Sequence, residues 1–484
     1  MPTRVLINVR TGRCVLVSLS LLLALPSAAL GVPDILEDPL GVKPERLHAG
    51  AKLPDGSLIA SSASVDLSQP LELGSAIDVA LSNNPQIRSA WAAIKIQAGV
   101  KGEARALYLP TMKASMSRLA NWSSNSASSG APDTVQTGNQ VYGTLTWRLL
   151  DFGGRSANNK AASLLLVAAL AAHDASMQKT MNGVIQAYFD AMTAQSSLIA
   201  RKKMAEIAER LLSATKRREN HGAAPLSDTL QAETALAKAQ LNESRAQGEF
   251  HKSLSLLVQA MGLTPGTFLR LPQKLELYRA DEVKELSSWL REAEEKHPAI
   301  KQARAKLAAD KAKIDVARSE GLPSLDATAY VSMNGYPNQG LSFINQSVTA
   351  AGVTLNVPIF EGFGRTYKIQ GTQAQVEQSE AQLQDTTNQI LTEVVKAHAD
   401  ALTSQGTLKA TDRLMVAATK SLHSSLRRYE RNAADILEVL NSQSSLADAE
   451  QERIRAVAES RSARLRLLAS AGVLGLGDLL AERP

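Results

Sequence analysis

From Arg155 to about His221 no proline interrupts the chain, and apolar residues return every seven positions at Val184, Ala191, Leu198, Ala205 and Leu212. At ~1.5 Å per residue such a stretch makes a helix of about 100 Å. A second seam, Ile185, Met192 and Ile199, runs beside the first. Two adjacent seams predict a helix with neighbours on both sides, the arrangement that builds a wall or tube rather than a simple two-helix coil. The seam is repeated 210 residues later at Val394, Ala401, Leu408, Met415 and Leu422.

Ahead of each long helix the period changes to two. Val141, Gly143, Leu145, Trp147 and Leu149 alternate with polar residues in the first copy. Leu325, Ala327, Ala329, Val331 and Met333, then Ala351, Val353, Leu355, Val357 and Ile359, do so in the second. Alternation of this kind predicts strands, here two hairpins over 110–151 and 323–360 with polar loops at Ser123 to Asn139 and Asn334 to Gln346. Strands of about ten residues suffice to cross a bilayer core when tilted. Isolated hairpins are only marginally stable in water, and four strands close no barrel of useful bore. Oligomerisation is the expected solution.

The two copies form a tandem repeat. An offset of 210 relates Gly154 to Gly364, Arg155 to Arg365, Asp190 to Asp400 and Gly262 to Gly472. Upstream the offset is 213, relating Pro85 to Pro298 and Pro110 to Pro323, so the length change falls in a surface loop. The expected organisation is a secretory signal peptide over 1–31, an extended arm over 32–70, a first repeat over 71–262, a linker over 263–281, a second repeat over 282–472 and a tail over 473–484. In each repeat a short helix ends before a proline and leads into a longer one, as at Asn83-Asn84-Pro85. Each repeat ends in a helical hairpin whose tip lies near 222 or 432, with return helices reaching about Met261 and Ala471.

Composition narrows the function classes. The chain is 44% hydrophobic but only 4% aromatic, which suits close helix packing, and a net charge of +6 without basic-aromatic runs excludes a nucleic-acid partner. The signal reading rests on Arg4, Arg10 and Arg13 before the apolar run Cys14 to Leu25, with cleavage after Ala29 or Gly31. Cys14, the single cysteine, lies inside that run, so the mature chain is expected to carry neither lipid anchor nor disulfide. Beyond it, Leu164 to Ala172 is the longest apolar stretch, too short for a spanning helix. Asp151-Phe152-Gly153 stands without the other kinase elements, the histidines form no HExxH pair, and no nucleophile elbow or phosphate loop is present. The expectation is no enzyme, no cofactor, no metal and no catalytic residue.

The tandem duplication, the Asn-Asn-Pro and Lys-His-Pro starts, the VPIFEGFGR junction and the tip run YERNAADILEVLN from Tyr429 to Asn441 together resemble the TolC family of outer-membrane channels. The resemblance covers about 71–472. It implies a mainly α fold with a small β part: long helical hairpins forming a periplasmic tunnel, and four strands per chain in a trimeric twelve-stranded outer-membrane barrel. It further implies a homotrimer in outer-membrane lipid, spanning into the periplasm of a Gram-negative cell. A periplasmic adaptor and an inner-membrane ABC or RND transporter would be its partners. The implied function is an exit duct, most closely that of type I secretion of a protein toxin or adhesin, including the cyclolysin type. Multidrug or metal efflux is the alternative, and a periplasmic coiled-coil adaptor is the rival of another class.

The resemblance also implies sites. Gly153, Gly154, Arg155, Gly362, Gly364 and Arg365 would form the barrel-to-helix junction, with glycine permitting the tight turn. The tips, with Gly222, Ala223, Leu226, Asn432, Ala433 and Ile436, would dock the adaptor with help from Arg217, Arg218, Arg427 and Arg428. Glu438 and Asn441, three apart on one helix face, would form the periplasmic constriction. Tyr429 with Ser227 and Asp228 would form the tip lock, weakened because Ala434 stands where the family has arginine and Asn441 where it has a second aspartate. Trp147, Tyr142 and Tyr330 are expected in an aromatic belt.

Overall fold

The computed structural model describes residues 38–42, 69–123, 134–272, 284–334, 346–431 and 433–475. The signal segment, most of the N-terminal arm, the loop tips of both strand hairpins, residues 273–283, Asn432 and the end of the tail lie outside the described residues. Within the separate unit Met1–Lys43, residues 38–42 form a turn closed by the Gly41 amide donating to the Asp38 carbonyl (3.2 Å) and the Val42 amide to Asp38 Oδ1 (2.8 Å).

In the larger unit the first repeat contains α1 (Leu73–Asn83), α2 (Pro85–Ala106), β1 (Thr111–Ser123), β2 (Thr134–Leu150), α3 (Gly154–Asn220) and α4 (Leu226–Ala260). The second contains α5 (Leu286–Lys296), α6 (Pro298–Ser319), β3 (Ser324–Asn334), β4 (Gln346–Asn356), α7 (Gly364–Glu430) and α8 (Ile436–Ser470). Both long helices have 67 residues and both return helices 35, so the repeat read from the sequence is a repeat of structure.

The short breaks between α1 and α2 and between α5 and α6 have one cause. Pro85 and Pro298 open the second helix at a position that needs no amide donor. The residue before each caps it: Asn84 Oδ1 accepts from the Gln86 amide (2.8 Å), and His297 Nδ1 accepts from the Ala299 amide (3.2 Å). Each break is wedged against the end of a return helix. A Cβ at Gly262, whose φ is +70°, would lie 2.8 Å from Asn84 Cα, and one at Gly472, φ +72°, would lie 2.8 Å from His297 Cδ2. Burial pushes the His297 imidazole down to about 4, which keeps Nδ1 free of a proton and able to accept.

The four strands form one antiparallel sheet in the order β1-β2-β3-β4. The register Trp147↔Ala327, Leu145↔Ala329, Gly143↔Val331 and Val141↔Met333 brings the apolar sets of β2 and β3 onto one face, and Met112, Ala114 and Met116 of β1 and Ala351, Val353 and Leu355 of β4 join them. The other face carries Lys113, Ser115, Ser117, Tyr142, Thr144, Thr146, Thr328, Tyr330 and Ser332. Tyr142 and Tyr330 therefore lie on the polar face, with ring centroids 6.0 Å apart, opposite to Trp147. The expected grouping of these three in one lipid-facing belt is corrected, because an odd separation along a strand reverses the side. Trp147 alone is on the apolar face, its Nε1 donating to the Tyr108 carbonyl at 3.0 Å. A second correction concerns β4, which ends at Asn356 and excludes Val357 and Ile359.

Packing is shared unequally among the helices. α3 touches α1, α2, α4, α6 and α8, and the main apolar cluster joins its middle (Met177, Met181, Val184, Ile185, Met192) to α1, the end of α4 and the segment Leu269 to Leu271. Part of the expected linker is thus core. A smaller cluster sets Trp289 and Ala293 of α5 against Val394 and Ala401 of α7 and Ala463 and Leu467 of α8. Of the second seam predicted on α3, Ile185 and Met192 are buried, but Ile199 is exposed. α3 also holds an 18-residue window of mean hydropathy 1.2, enough to cross a membrane by length and composition only, although no uninterrupted apolar run of that length occurs in it. Its buried side chains, Ala161, Leu166 and Ala171 among them, are part of the helix packing.

Candidate functional site

Two places carry the residues singled out by the sequence: the passage from sheet to long helix, and the hairpin tips about 100 Å of helix away.

At the first passage Phe152 (φ +50°) and Gly153 (φ +103°) are consecutive left-handed residues; at the second they are Gly362 (φ +60°) and Phe363 (φ +64°). The repeat offset pairs Phe152 with Gly362 and Gly153 with Phe363, so each junction uses one glycine and one phenylalanine in opposite order. Glycine alone does not explain the turn, since Phe at φ > 0 is strained and must be held by its surroundings. In the first copy the holding is visible. Asp151 Oδ2 accepts from the Arg155 amide (2.7 Å) and lies 3.2 Å from Arg155 Nε. Arg155 reaches back to the end of β2, donating to the carbonyls of Arg148 (2.7 Å) and Leu149 (3.0 Å) with its guanidinium 4.8 Å from the Tyr108 ring centre. Gly154 is needed for space, because a Cβ there would lie 2.7 Å from Ser319 Oγ. In the second copy Arg365 stands 3.9 Å from Glu361 and lies over Gly321, the repeat equivalent of Tyr108, while Gly364 has open space around it. Across the sheet's base, Asp326 accepts from Arg148 Nε (2.9 Å) and Asn356 Nδ2 (3.0 Å), tying β2, β3 and β4 together. These contacts join the base of the sheet to the starts of the long helices.

At the tips the two hairpins turn with the same backbone bonds. The Ala223 amide donates to the Arg218 carbonyl and the Ala433 amide to the Arg428 carbonyl, both at 2.8 Å. The arginines also fasten the turns, Arg218 Nη2 to Ala223 O (3.4 Å) and Arg428 Nη2 to Ala433 O (3.1 Å). Their other amino groups diverge. Arg218 crosses to the second hairpin, donating from Nη1 to the Tyr429 carbonyl (2.7 Å) and stacking 4.4 Å from the Tyr429 ring centre. Arg428 stays within its own hairpin and donates to Glu438 Oε1 at 2.7 Å.

The sequence-derived sites fall into this geometry as follows. Tyr429 is buried in the tip core with Met204, Leu211, Leu422, Ile436 and Val439. The half-buried Asp228 carboxyl lies beside it and is raised above its ordinary range, first by loss of water and then by Asp435; Arg218, the Tyr429 hydroxyl and Ser227 oppose the rise. Ser227 is exposed. At the tips the side chain that crosses between the two hairpins is thus Arg218, which the sequence placed only in a docking cluster; its repeat mate Arg428 gave no hint, because the two point to different partners. Glu438 is half-buried and paired, and Asn441 is exposed with its carbonyl accepting from Ser445. Gly222, Ala223, Leu226 and Ala433 are exposed at the tips, whereas Ile436 is 0% exposed and presents no surface for docking. That correction follows from α8 lying inside the tip core while α4 does not: Leu226, the repeat mate of Ile436, is 59% exposed. Asn432 lies outside the described residues.

Known proteins with this arrangement are found by sequence and by structure. The chain matches the family described as outer membrane efflux protein over residues 76–263 and 289–473. It is 35% identical over 415 residues to protein CyaE of Bordetella pertussis, covering 86% of each chain. To the alkaline protease secretion protein AprF of Pseudomonas aeruginosa it is 22% identical over 411 residues, covering 83% of this chain and 84% of that one. Among solved structures, the outer membrane protein VceC of Vibrio cholerae matches its fold with a TM-score of 0.72 at 19% identity, over 83% of this chain and 96% of that chain.

Proposed function

The chain belongs to the outer membrane efflux protein family, and from that premise we propose that it is the homotrimeric exit duct of a type I exporter carrying a protein cargo. It is an outer-membrane channel protein whose sheet lies in the membrane and whose helices extend into the periplasm. The observation that carries the duct reading is the sheet: apolar on one face, polar on the other and, among the described residues, without pairing partners on both outer edges. In a bilayer such edges must be satisfied, and closure with other copies is the economical way to do so. Three copies supply twelve strands, with the Tyr142 and Tyr330 face toward the water-filled interior.

The helices support the same count. α4 buries only Thr229, Ala232, Leu257 and Val258, and α7 leaves Leu402, Leu414 and Val416 exposed, so both flanks of each chain await neighbours. A periplasmic adaptor would dock at the exposed tip residues Gly222, Ala223, Leu226 and Ala433, and an inner-membrane ABC or RND transporter would supply the energy. The gate lies at the tip, with Tyr429 as its pivot and Glu438 and Asn441 at the constriction.

For cargo, the similarity to a protein named for alkaline protease secretion favours a polypeptide over a drug or metal. Deleting the gene tests both levels. Loss of one abundant protein from the culture supernatant, with drug and metal tolerance unchanged, is the expected result. Lost tolerance with an intact supernatant would assign the duct to efflux, and detergent-extracted protein that is monomeric by mass would remove the trimer.

A further inference from the structure

The internal repeat makes the subunit seam calculable. Thr111↔Thr146 in the first hairpin maps onto Ser324↔Asn356 in the second when β1 is advanced by 213 and β2 by 210, so both hairpins keep one register. The pairing of β2 with β3 joins the end of one repeat to the start of the next. The seam between β4 and a second copy's β1 is the same junction one step on. Applying the offsets to Leu145↔Ala329 and Thr146↔Thr328 gives Leu355 opposite Met116 and Asn356 opposite Ser115. On this basis we propose that β4 of one copy pairs antiparallel with β1 of the next in that register, so that Val357 faces Ala114 and Phe360 faces Met112. The inference rests on the homotrimer proposed above and fixes how its copies meet.

Two further observations agree with it. β2 runs on to Leu150, four residues past its last pairing with β1 at Thr146, because β3 holds the extension through Trp147↔Ala327, Arg148↔Asp326 and Leu150↔Leu325. β4 stops at Asn356, the equivalent of Thr146, since among the described residues of one chain no strand lies on its other edge. The seam strand supplies that partner and extends β4 through the alternating residues up to Phe360. Second, the side chains the register sets opposite one another on the apolar face are among the most exposed in the chain: Met112 and Met116 at 76%, Leu355 at 63% and Phe360 at 73%. A slip of one residue would turn one member of every such pair to the polar face. The junction differs from its model within the chain in one respect. Pro358 and Lys113 replace the ion-paired Arg148 and Asp326, so the seam is joined by apolar contact and backbone bonds where the internal junction adds a charge pair.

The test is disulfide trapping in the outer membrane. Leu355→Cys with Met116→Cys, and Asn356→Cys with Ser115→Cys, sample both kinds of antiparallel pair. Each is expected to give covalent trimers at about tenfold or greater excess over Leu355→Cys paired with Ser115→Cys, Ser117→Cys or Ala114→Cys, because neighbouring registers hold the Cβ atoms beyond bonding distance. Covalent trimers from an offset pair in preference to these overturn the register. Trimer by mass in detergent without a cross-link from any pair overturns the β4–β1 seam itself. Monomer by mass instead removes the trimer on which the inference stands, and so the two failures are distinguishable.

Discussion

The two repeats have helices of equal length and unequal burial. In α3, 23 of 67 residues are buried; in α7, 10 of 67 are. The return helices invert the contrast, with 4 buried residues in α4 and 14 in α8. α3 and α8 are therefore the interior pair of the chain, packed on each other, while α4 and α7 form its two flanks. A duplicated sequence has been divided by position into a half-core that holds one chain together and a half-surface that meets other chains. The difference teaches that quasi-equivalent positions carry different loads, which substitutions made in pairs can separate.

The largest contrast is expected at Ile185 and its repeat mate Val395. Ile185 is fully buried and Val395 is 42% exposed. Ile185→Ala is expected to cost about 2–5 kcal/mol and to lower the thermal midpoint of the detergent-solubilised protein sharply. Val395→Ala should change it little. Equal losses would show that neighbouring copies bury Val395 as deeply as the chain buries Ile185. On the same logic Leu402→Asp, at an exposed α7 position, should leave the chain folded but reduce the trimer seen by mass.

Next in size is the break before α6. Burial pushes the His297 imidazole down to about 4, below its ordinary 6.5, and the neutral ring caps the helix. The unfolded chain then binds more protons than the folded one between these values, so stability is full above about pH 6.5 and falls as pH drops toward 4, by at most about 3 kcal/mol. Asn84 does the same capping in the first repeat without titrating. His297→Asn should flatten the acid limb of a stability-versus-pH curve, and an unchanged limb would place the acid sensitivity elsewhere.

A smaller effect is expected where the tips diverge. Arg218→Ala removes a stacked, hydrogen-bonded link between hairpins worth about 1–2 kcal/mol, which raises the open fraction seen as single-channel conductance on the order of tenfold. Arg428→Ala should leave opening nearly unchanged and instead release Glu438 from its ion pair, increasing cation selectivity and block by multivalent cations. Glu438→Ala should reduce both and Asn441→Asp strengthen both. If Arg428→Ala opens the channel as readily as Arg218→Ala, the two arginines share one role.

The smallest effect separates the faces of the sheet. In a variant whose other three tryptophans, Trp91, Trp122 and Trp289, are replaced by Phe, lipid-borne quenchers should reduce the emission of Trp147, whereas Tyr142→Trp in a background lacking all four native tryptophans should respond to aqueous quenchers. Quenching of both by lipid would contradict the facing read from the register.

How much was legible can be judged at particular residues. The heptad seam located Val184, Ala191 and Leu212 in the interior, and alternation located the apolar face of the sheet, because both periods are properties of the backbone itself. The same reasoning placed Ile199 wrongly, since a seam says that a helix face has a neighbour somewhere but not how far along the helix that neighbour extends. Ile436 and Leu226 are equivalent by offset and similar in chemistry, yet opposite in exposure. The link from Arg218 to Tyr429 joins residues 211 apart in sequence, and no local pattern marks it.

The amino-acid sequence by itself determined the element order, the lengths of the helices, the capped breaks at Pro85 and Pro298 and the duplication that makes one half a template for the other. These follow from periodicity, from proline's missing amide and from side chains that bond to their own backbone, all of which act over a few residues. Only the tertiary structure decided which of two equivalent helices became core and which became flank, which arginine crossed between hairpins, and which edges of the sheet were left to be paired. Those outcomes depend on what packs against a face, and equivalent local sequences placed at the middle and at the edge of a chain meet different neighbours.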